Sequence, residues 1–112
     1  MKKGFFTVCG FAALFSSAVY ADAVRDDMVN GCIAGRYIVN SAVGLASQGY
    51  SQQSTINIIS DDLVGAGWIM TSSAQQLVAA NTVLGFQMYG QGRSSVDAAE
   101  AFFQHCMSTI PN

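Results

Sequence analysis

Apolar residues recur at intervals of three and four along most of the chain after residue 22, the spacing of helices that bury one face. Four such segments are separated by short stretches rich in glycine and serine. The predicted helices run from about Val24 to Ser47, from Gln53 to before Trp68, from about Ala74 to Tyr89, and from Ser94 or Ser95 to before Pro111. Amphipathic helices with short connections pack against one another, so the pattern predicts an all-α fold, a small compact bundle of about four helices.

The second helix is the one segment whose start would also suit a strand, at residues 55–59. The helical spacing persists there for four turns, whereas strict alternation fails at Ile58 and Ile59. We therefore predict a helix, which the glycines at residues 65 and 67 weaken or end before Trp68.

Small polar residues and glycines predict where the helices begin and end. The candidate N-caps are Ser51, Ser72 or Ser73, and Ser94 or Ser95. Gly49 follows the first helix at the position that favours a left-handed backbone, and residues 90–92 end the third helix.

Two features of the sequence predict how the helices pack. Gly31 and Gly35 lie one turn apart in the first helix, where glycine is unfavourable, so we expect another helix to approach closely across that face. The inner face of the third helix is predicted to consist of Leu77, Ala80, Leu84 and Met88, with Val78, Asn81 and Gly85 flanking it.

The N-terminal segment has the layout of a secretory signal peptide. Lys2 and Lys3 precede an uncharged apolar stretch at residues 5–19, and small residues at 19 and 21 suit cleavage after Ala21, with Ala23 as the alternative. A membrane anchor is the other interpretation, but the stretch is shorter than the ~20 residues that a spanning helix needs. We therefore predict a signal peptide at residues 1–21, a single helical domain at residues 22–112, and an exported protein that is periplasmic or secreted.

Cysteine usage supports export and predicts a covalent link. Cys9 falls in the signal peptide, which leaves Cys32 and Cys106, and an even number of cysteines in an exported chain indicates a disulfide. Both lie on the apolar stripes of their helices, so packing those stripes would bring them together. On the chain-entropy estimate, a bridge closing so long a loop stabilises the fold by roughly 4 kcal/mol.

Charge narrows the classes of partner. Without residues 1–21 the chain keeps three arginines and no lysine against seven carboxylates, a net charge of −4 with His105 neutral. An acidic surface with few cations argues against nucleic acid and against an anionic membrane face. A protein is the class of partner that remains. The sequence does not predict an oligomeric state.

No motif indicates catalysis. His105 is the only histidine, which is too few for a zinc site with three histidine ligands, and it suits the end of a helix as a surface residue. The sequence has no G-x-S-x-G motif that would mark a nucleophilic serine. We predict no catalytic residue, no metal and no cofactor; a small hydrolase would need His105 to lie near a carboxylate and Ser94 or Ser95.

Four residues are the best candidates for binding. Trp68 and Tyr50 are large amphipathic residues at predicted helix ends, where binding anchors often lie, although they could equally close the ends of the bundle. Arg93 and Ser94 follow a glycine turn and precede a helix, an arrangement that can bind an anion. Ser94 with Asp97 three residues later is also the pattern of a simple helix cap.

We expect a protein that acts by binding another macromolecule. The CIAGRY segment at residues 32–37, with Cys106 as a second cysteine near the end, resembles small exported immunity proteins that neutralise cell-wall-degrading toxins. This resemblance, which covers little of the sequence, implies an inhibitor or immunity function. The alternative is a periplasmic chaperone or stress protein, which seven carboxylates without a lysine disfavour, since acid-activated chaperones need a charge that changes sharply with pH.

Overall fold

A computed structural model describes the backbone of residues 10–111 and the side chains of residues 23–111. Within that range the chain forms four helices and no strand, which confirms the predicted all-α bundle. The helices are α1 (Gly10–Ser47), α2 (Gln52–Gly65), α3 (Ser72–Gly90) and α4 (Ser95–Ser108). Residues 55–59 are helical, as the persistence of the three-and-four spacing indicated.

Helix α1 begins earlier than the sequence predicted and ends at the predicted residue, Ser47. No proline or glycine interrupts residues 11–23, so the backbone of the apolar stretch continues into the helix of the domain. The predicted cleavage point after Ala21 falls within α1. Cys9 and the rest of residues 1–9 lie outside the described residues, and the signal peptide stays a prediction.

Hydroxyl side chains cap the other three helices. Ser51 Oγ accepts a hydrogen bond from the Ser54 amide at 3.1 Å, and Ser94 Oγ accepts one from the Asp97 amide at 3.1 Å. The cap of α3 is Thr71, whose Oγ1 accepts from the Ala74 amide at 3.2 Å. The prediction of Ser72 or Ser73 is therefore wrong, because three consecutive hydroxyl residues offer the same local pattern and the helix begins one residue earlier.

Three glycines form the turns after the helices. Gly49, Gly67 and Gly92 have φ values of 92°, 101° and 86°, the left-handed region that favours glycine. They follow α1, α2 and α3, which confirms that α2 ends before Trp68 and that residues 90–92 end α3.

Helix α1 forms the centre of the bundle, with α3 and α4 packed along it. The residue numbers of contacting pairs increase in the same direction along α1 and α3. Gly35 lies near Asn81, and Ala42, further along α1, lies near Gly85, further along α3. These two helices therefore run parallel. Helix α4 runs antiparallel to α1, since Cys32 joins Cys106 whereas Arg36, further along α1, lies near Glu100, earlier on α4. The turns α1–α2 and α3–α4 therefore lie at one end of the bundle, and the α2–α3 loop lies towards the other.

Only one of the two glycines singled out in α1 meets a neighbour. A Cβ at Gly35 would collide with the ring of Phe102, which confirms a close approach there, whereas a Cβ at Gly31 would have nothing within 4 Å. A second close approach lies at Gly85 in α3, where a Cβ would be 2.6 Å from the Cβ of Ala42 and 3.3 Å from the carbonyl oxygen of Val39.

The core consists of two groups of buried residues on α1 and its neighbours. One group is Ile38, Ala42, Ile59, Leu63 and Val78. The other is Val39, Val43 and Ala98. The predicted inner face of α3 is wrong in part: Ala80 is exposed, and the buried residues are Val78, Asn81, Thr82 and Gly85.

Asn81 can be buried because its amide donates a hydrogen bond to the Leu77 carbonyl within the same helix, at 3.0 Å. A buried polar group that is satisfied within its own helix needs no partner across the interface. Together, Asn81 and the small Gly85 allow α3 to pack closely against α1. The face that packs there is less apolar in sequence than the face that was predicted to be buried.

A disulfide between Cys32 and Cys106 joins α1 to α4, as predicted, with the two Cα atoms 5.7 Å apart. Cys32 is fully buried on the inner face of α1. Beyond the bridge, Arg25 Nε donates a hydrogen bond to the Pro111 carbonyl at 3.3 Å, which ties the end of the described chain to α1.

Candidate functional site

The four binding candidates from the sequence do not converge on one site. Tyr50 is exposed in the α1–α2 turn, and Arg93 and Ser94 lie in the α3–α4 turn at the same end of the bundle. Trp68 lies in the α2–α3 loop, towards the other end. It is half-buried and packs against the core group around Ile38, so it contributes to the fold.

Arg93 and Ser94 are both engaged in local structure. Arg93 Nη1 lies 3.7 Å from Asp97 Oδ2, one turn further along α4, and the Ser94 hydroxyl caps that helix. These contacts support the interpretation of residues 93 and 94 as a helix cap. They leave the anion-binding interpretation without a further structural feature in its favour.

The groups considered for chemistry lie on the surface. His105 is exposed in the last turn of α4, beyond the bundle's buried face. Asp61 and Asp62 are exposed on α2. Within the part of the chain that the structure describes, no group of three His, Cys, Asp or Glu residues lies close enough to hold a metal ion.

The first exposed apolar surface lies at the end of α2 and in the loop that follows. Ile69 is 81% exposed, more than any other large hydrophobic residue described, and Val64 on the last turn of α2 is exposed too. Asp61 lies one turn before Val64 on the same side of the helix. We call the surface formed by Asp61, Val64 and Ile69 the loop surface.

Local hydrogen bonds hold this loop in place. The amide of Gly67 donates to the Val64 carbonyl at 3.0 Å, and that of Trp68 donates to the Leu63 carbonyl at 2.9 Å. The amide of Thr71 donates to the Ile69 carbonyl at 2.8 Å. Because Trp68 and Met70 pack against the core, the side chain of Ile69 between them points to solvent.

Sequence reasoning missed Ile69 as a binding residue. It chose Trp68 by residue type, and the structure uses that ring as the anchor of the loop. The available signal was the run of three large apolar residues, Trp68, Ile69 and Met70, after a helix-ending glycine, since neighbouring side chains outside a helix do not all point to the same side.

The second exposed surface is a groove of about 350 Å³ between α1 and α4. Its walls are Ile33, Arg36, Tyr37 and Asn40 on α1, and Val96, Ala99 and Glu100 on α4. Val96 is 71% exposed, and Ile33 and Tyr37 are about half exposed. The buried Ala99 and the disulfide below hold the two helices close together, so the groove is part of the packed fold. We call it the α1–α4 groove.

One charge of each sign faces across this groove. Arg36 Nη1 lies 3.8 Å from Glu100 Oε1, and the guanidinium carbon of Arg36 lies 4.0 Å from the centre of the Phe103 ring. Glu100 Oε2 accepts a hydrogen bond from Gln104 Nε2 at 3.2 Å. Within the described residues Arg36 donates no hydrogen bond, so its N–H groups are oriented by the ring and the ion pair and face solvent in part.

No protein-family model matches this chain, and neither a curated protein nor a solved structure is significantly similar to it. Among the described residues, no helix combines the length and the apolar character that crossing a membrane requires.

Proposed function

We propose that this protein is exported and acts by binding another protein through the loop surface, as an inhibitor or immunity protein. The observation that carries the proposal is the exposure of Ile69, 81% open to solvent on a short loop that Trp68 anchors to the core. Exposed apolar surface that extends over several residues is typical of protein interaction sites, and Val64 at the end of α2 is exposed as well. No catalytic step is part of this role.

Binding through this loop is favourable because little has to be ordered. Burying an isoleucine side chain contributes about 1.5–3 kcal/mol. The loop's backbone is already fixed by its hydrogen bonds to α2, and the Cys32–Cys106 bridge holds the bundle together. A fixed protrusion loses little conformational freedom on association, so more of that energy remains as affinity.

The charge of the loop surface indicates the chemistry of the partner. Asp61, which belongs to this surface, and its neighbour Asp62 are both exposed on α2, and the chain without its predicted signal peptide carries a net charge of −4. Opposite charges across an interface speed association and select the partner. We therefore expect an apolar pocket with basic residues at its rim, and a binding rate that falls as salt is added.

Export is the second part of the proposal. A disulfide is consistent with an oxidising compartment, because the cytosol keeps most thiols reduced. The apolar N-terminal stretch after Lys2 and Lys3 would be removed after Ala21, or after Ala23, and the product would be periplasmic or secreted. Mass measurement of the protein recovered outside the cytoplasm tests both points, and a full-length mass with free thiols would contradict them.

The loop surface is tested by capturing partners from a periplasmic extract with the wild-type protein and with two matched variants. Ile69→Ser removes the exposed side chain of the loop, and Val96→Ser removes a comparably exposed one from the α1–α4 groove. Both residues lie on the surface, so both variants should keep their stability within about 0.5 kcal/mol. We expect one stoichiometric partner with the wild type and with Val96→Ser, and its loss with Ile69→Ser.

Other outcomes would contradict this role. Many unfolded proteins captured together would indicate the periplasmic chaperone, and equal capture by both variants would exclude the loop surface. Trp68→Ala is a poor test by comparison, because that ring packs against the core and its removal would also destabilise the bundle.

A further inference from the structure

We propose that the α1–α4 groove binds a second copy of this chain, so that the protein is a two-fold symmetric dimer. This inference concerns a different face from the loop surface and does not depend on the function proposed above. It starts from the charges of the two exposed apolar surfaces, which differ.

The two surfaces differ in charge. The loop surface suits a different protein as its partner, whereas the α1–α4 groove suits a second copy of this chain. The loop surface includes the acidic Asp61, so pairing it with itself would bring like charges together. The α1–α4 groove carries one cation and one anion, Arg36 and Glu100, and is electrically neutral. Two copies can therefore bring their grooves together without net repulsion.

The positions of these two residues suit a two-fold axis. Arg36 and Glu100 lie at the same level on opposite walls of the groove, 3.8 Å apart. Consider a two-fold axis that runs parallel to the groove and in front of it. Rotation about this axis leaves each residue at the same height along the groove and sets each wall against the opposite wall of the second copy. It places α1 of each copy against α4 of the other, so that each Arg36 faces the partner's Glu100. The same surface then serves both copies, as a two-fold interface requires.

The contacts within one chain leave both residues able to make this second interaction. The 3.8 Å separation is an ion pair without a hydrogen bond, and the side chains of Arg36 and Glu100 are 40% and 56% exposed. Stacking on Phe103 fixes the guanidinium beforehand, so its N–H groups lose little freedom when they meet a second carboxylate.

Apolar and aromatic side chains around the charges supply the contact area. Ile33 and Tyr37 stand on one wall and Val96 on the other, all substantially exposed in the single chain. Tyrosine and arginine are enriched at the centres of protein interfaces, where they carry much of the binding energy. The two-fold operation covers these residues in both copies at once.

The dimer is tested by measuring the mass in solution of the processed, disulfide-bonded protein and of two charge reversals. Arg36→Glu makes both charges of the groove acidic, and Glu100→Arg makes both basic. The wild type is expected at the mass of two copies, and each variant alone at the mass of one, with a dissociation constant raised about tenfold or more. Circular dichroism reports whether each variant keeps its helices.

Mixing the two variants separates contacts between chains from the ion pair within a chain. Each variant still has two like charges in its own groove, so its internal pair stays broken in the mixture. Between the chains, however, the acidic groove of one meets the basic groove of the other. An equimolar mixture should therefore recover the mass of two copies.

Arg93→Glu is the matched control. Arg93 is 39% exposed and lies 3.7 Å from its acidic partner Asp97, almost the geometry of the Arg36 pair, but it does not line the groove. This variant should stay dimeric. A wild-type mass of one copy at the highest attainable concentration would overturn the proposal, as would a dimeric Arg36→Glu variant or a mixture that stays monomeric.

Discussion

Single glycines set the distance between α1 and its neighbours. At Gly85 the backbone of α3 lies directly against Ala42 and Val39, so even a methyl group has no room. At Gly31 the same addition would reach open space. Two substitutions of the same kind in helices are therefore expected to have opposite effects on stability.

Gly85→Ala should lower the free energy of unfolding by about 1–3 kcal/mol, because the added Cβ would overpack a contact that includes backbone atoms. Gly31→Ala should raise it by about 0.5–1 kcal/mol, since alanine is the better helix former and meets no neighbour. Urea unfolding of both variants measures the difference. Equal effects of the two changes would contradict the close approach of α3 to α1.

The sequence could predict that some glycine in α1 meets another helix, but not which one. Gly31 and Gly35 lie one turn apart on the same side of α1, and which of them meets a neighbour depends on the level at which Phe102 crosses. The same limit applies to Trp68 and Ile69. Residue type favoured the tryptophan, whereas the path of the loop decides that the isoleucine is the exposed one.

At the scale of the elements, local sequence patterns were sufficient for most helix ends. Ser51 and Ser94 cap α2 and α4 as predicted, and glycines with positive φ follow three helices. Local patterns were insufficient where several residues were equivalent. Three consecutive hydroxyl residues lie at the start of α3, and the cap is Thr71 because it has an extended backbone immediately before the first helical residue.

The cap of α4 offers a direct comparison between adjacent serines. Ser94→Ala should lower the free energy of unfolding by about 1 kcal/mol, because it removes the acceptor of the Asp97 amide. Ser95→Ala changes the first helical residue, whose side chain does not cap the helix, and should have an effect within about 0.5 kcal/mol. Chemical unfolding of both variants checks this, and a larger loss for Ser95→Ala would contradict the assigned cap.

The inner face of α3 shows where element-level reasoning failed. Apolar residues lie on most sides of this helix, so periodicity alone does not select a face. The buried side includes Asn81 and Gly85, because one satisfies its own amide within the helix and the other permits close packing. When every face of a helix is moderately apolar, close packing against the neighbouring helix decides which face is buried more than hydrophobicity does.

At the scale of the whole molecule, the covalent link and the helix order could be predicted, whereas the arrangement around α1 could not. Two cysteines on apolar stripes allowed one pairing, and the structure contains it. The groove depends on the angle at which α4 lies against α1, and no local pattern of Ile33, Tyr37 or Val96 revealed it. The structure leaves all three residues exposed on the walls of the groove.

The disulfide should supply a large part of the stability of so small a domain. The cysteines are 74 residues apart, and reduction frees a loop whose closure is worth roughly 4 kcal/mol on the chain-entropy estimate. The urea midpoint should therefore fall markedly when a reductant is present. An unchanged midpoint after complete reduction, verified by thiol labelling, would contradict this.

The same bond has a consequence for digestion. Because Cys32 and Cys106 lie in the first and last helices, the segment between them contains the whole of α2 and α3 and the loop that carries Ile69. A protease that cuts this loop once would produce two fragments that still migrate as one species on a gel, and only a reducing agent would part them. A cut in this exposed loop would thus leave the two fragments covalently linked.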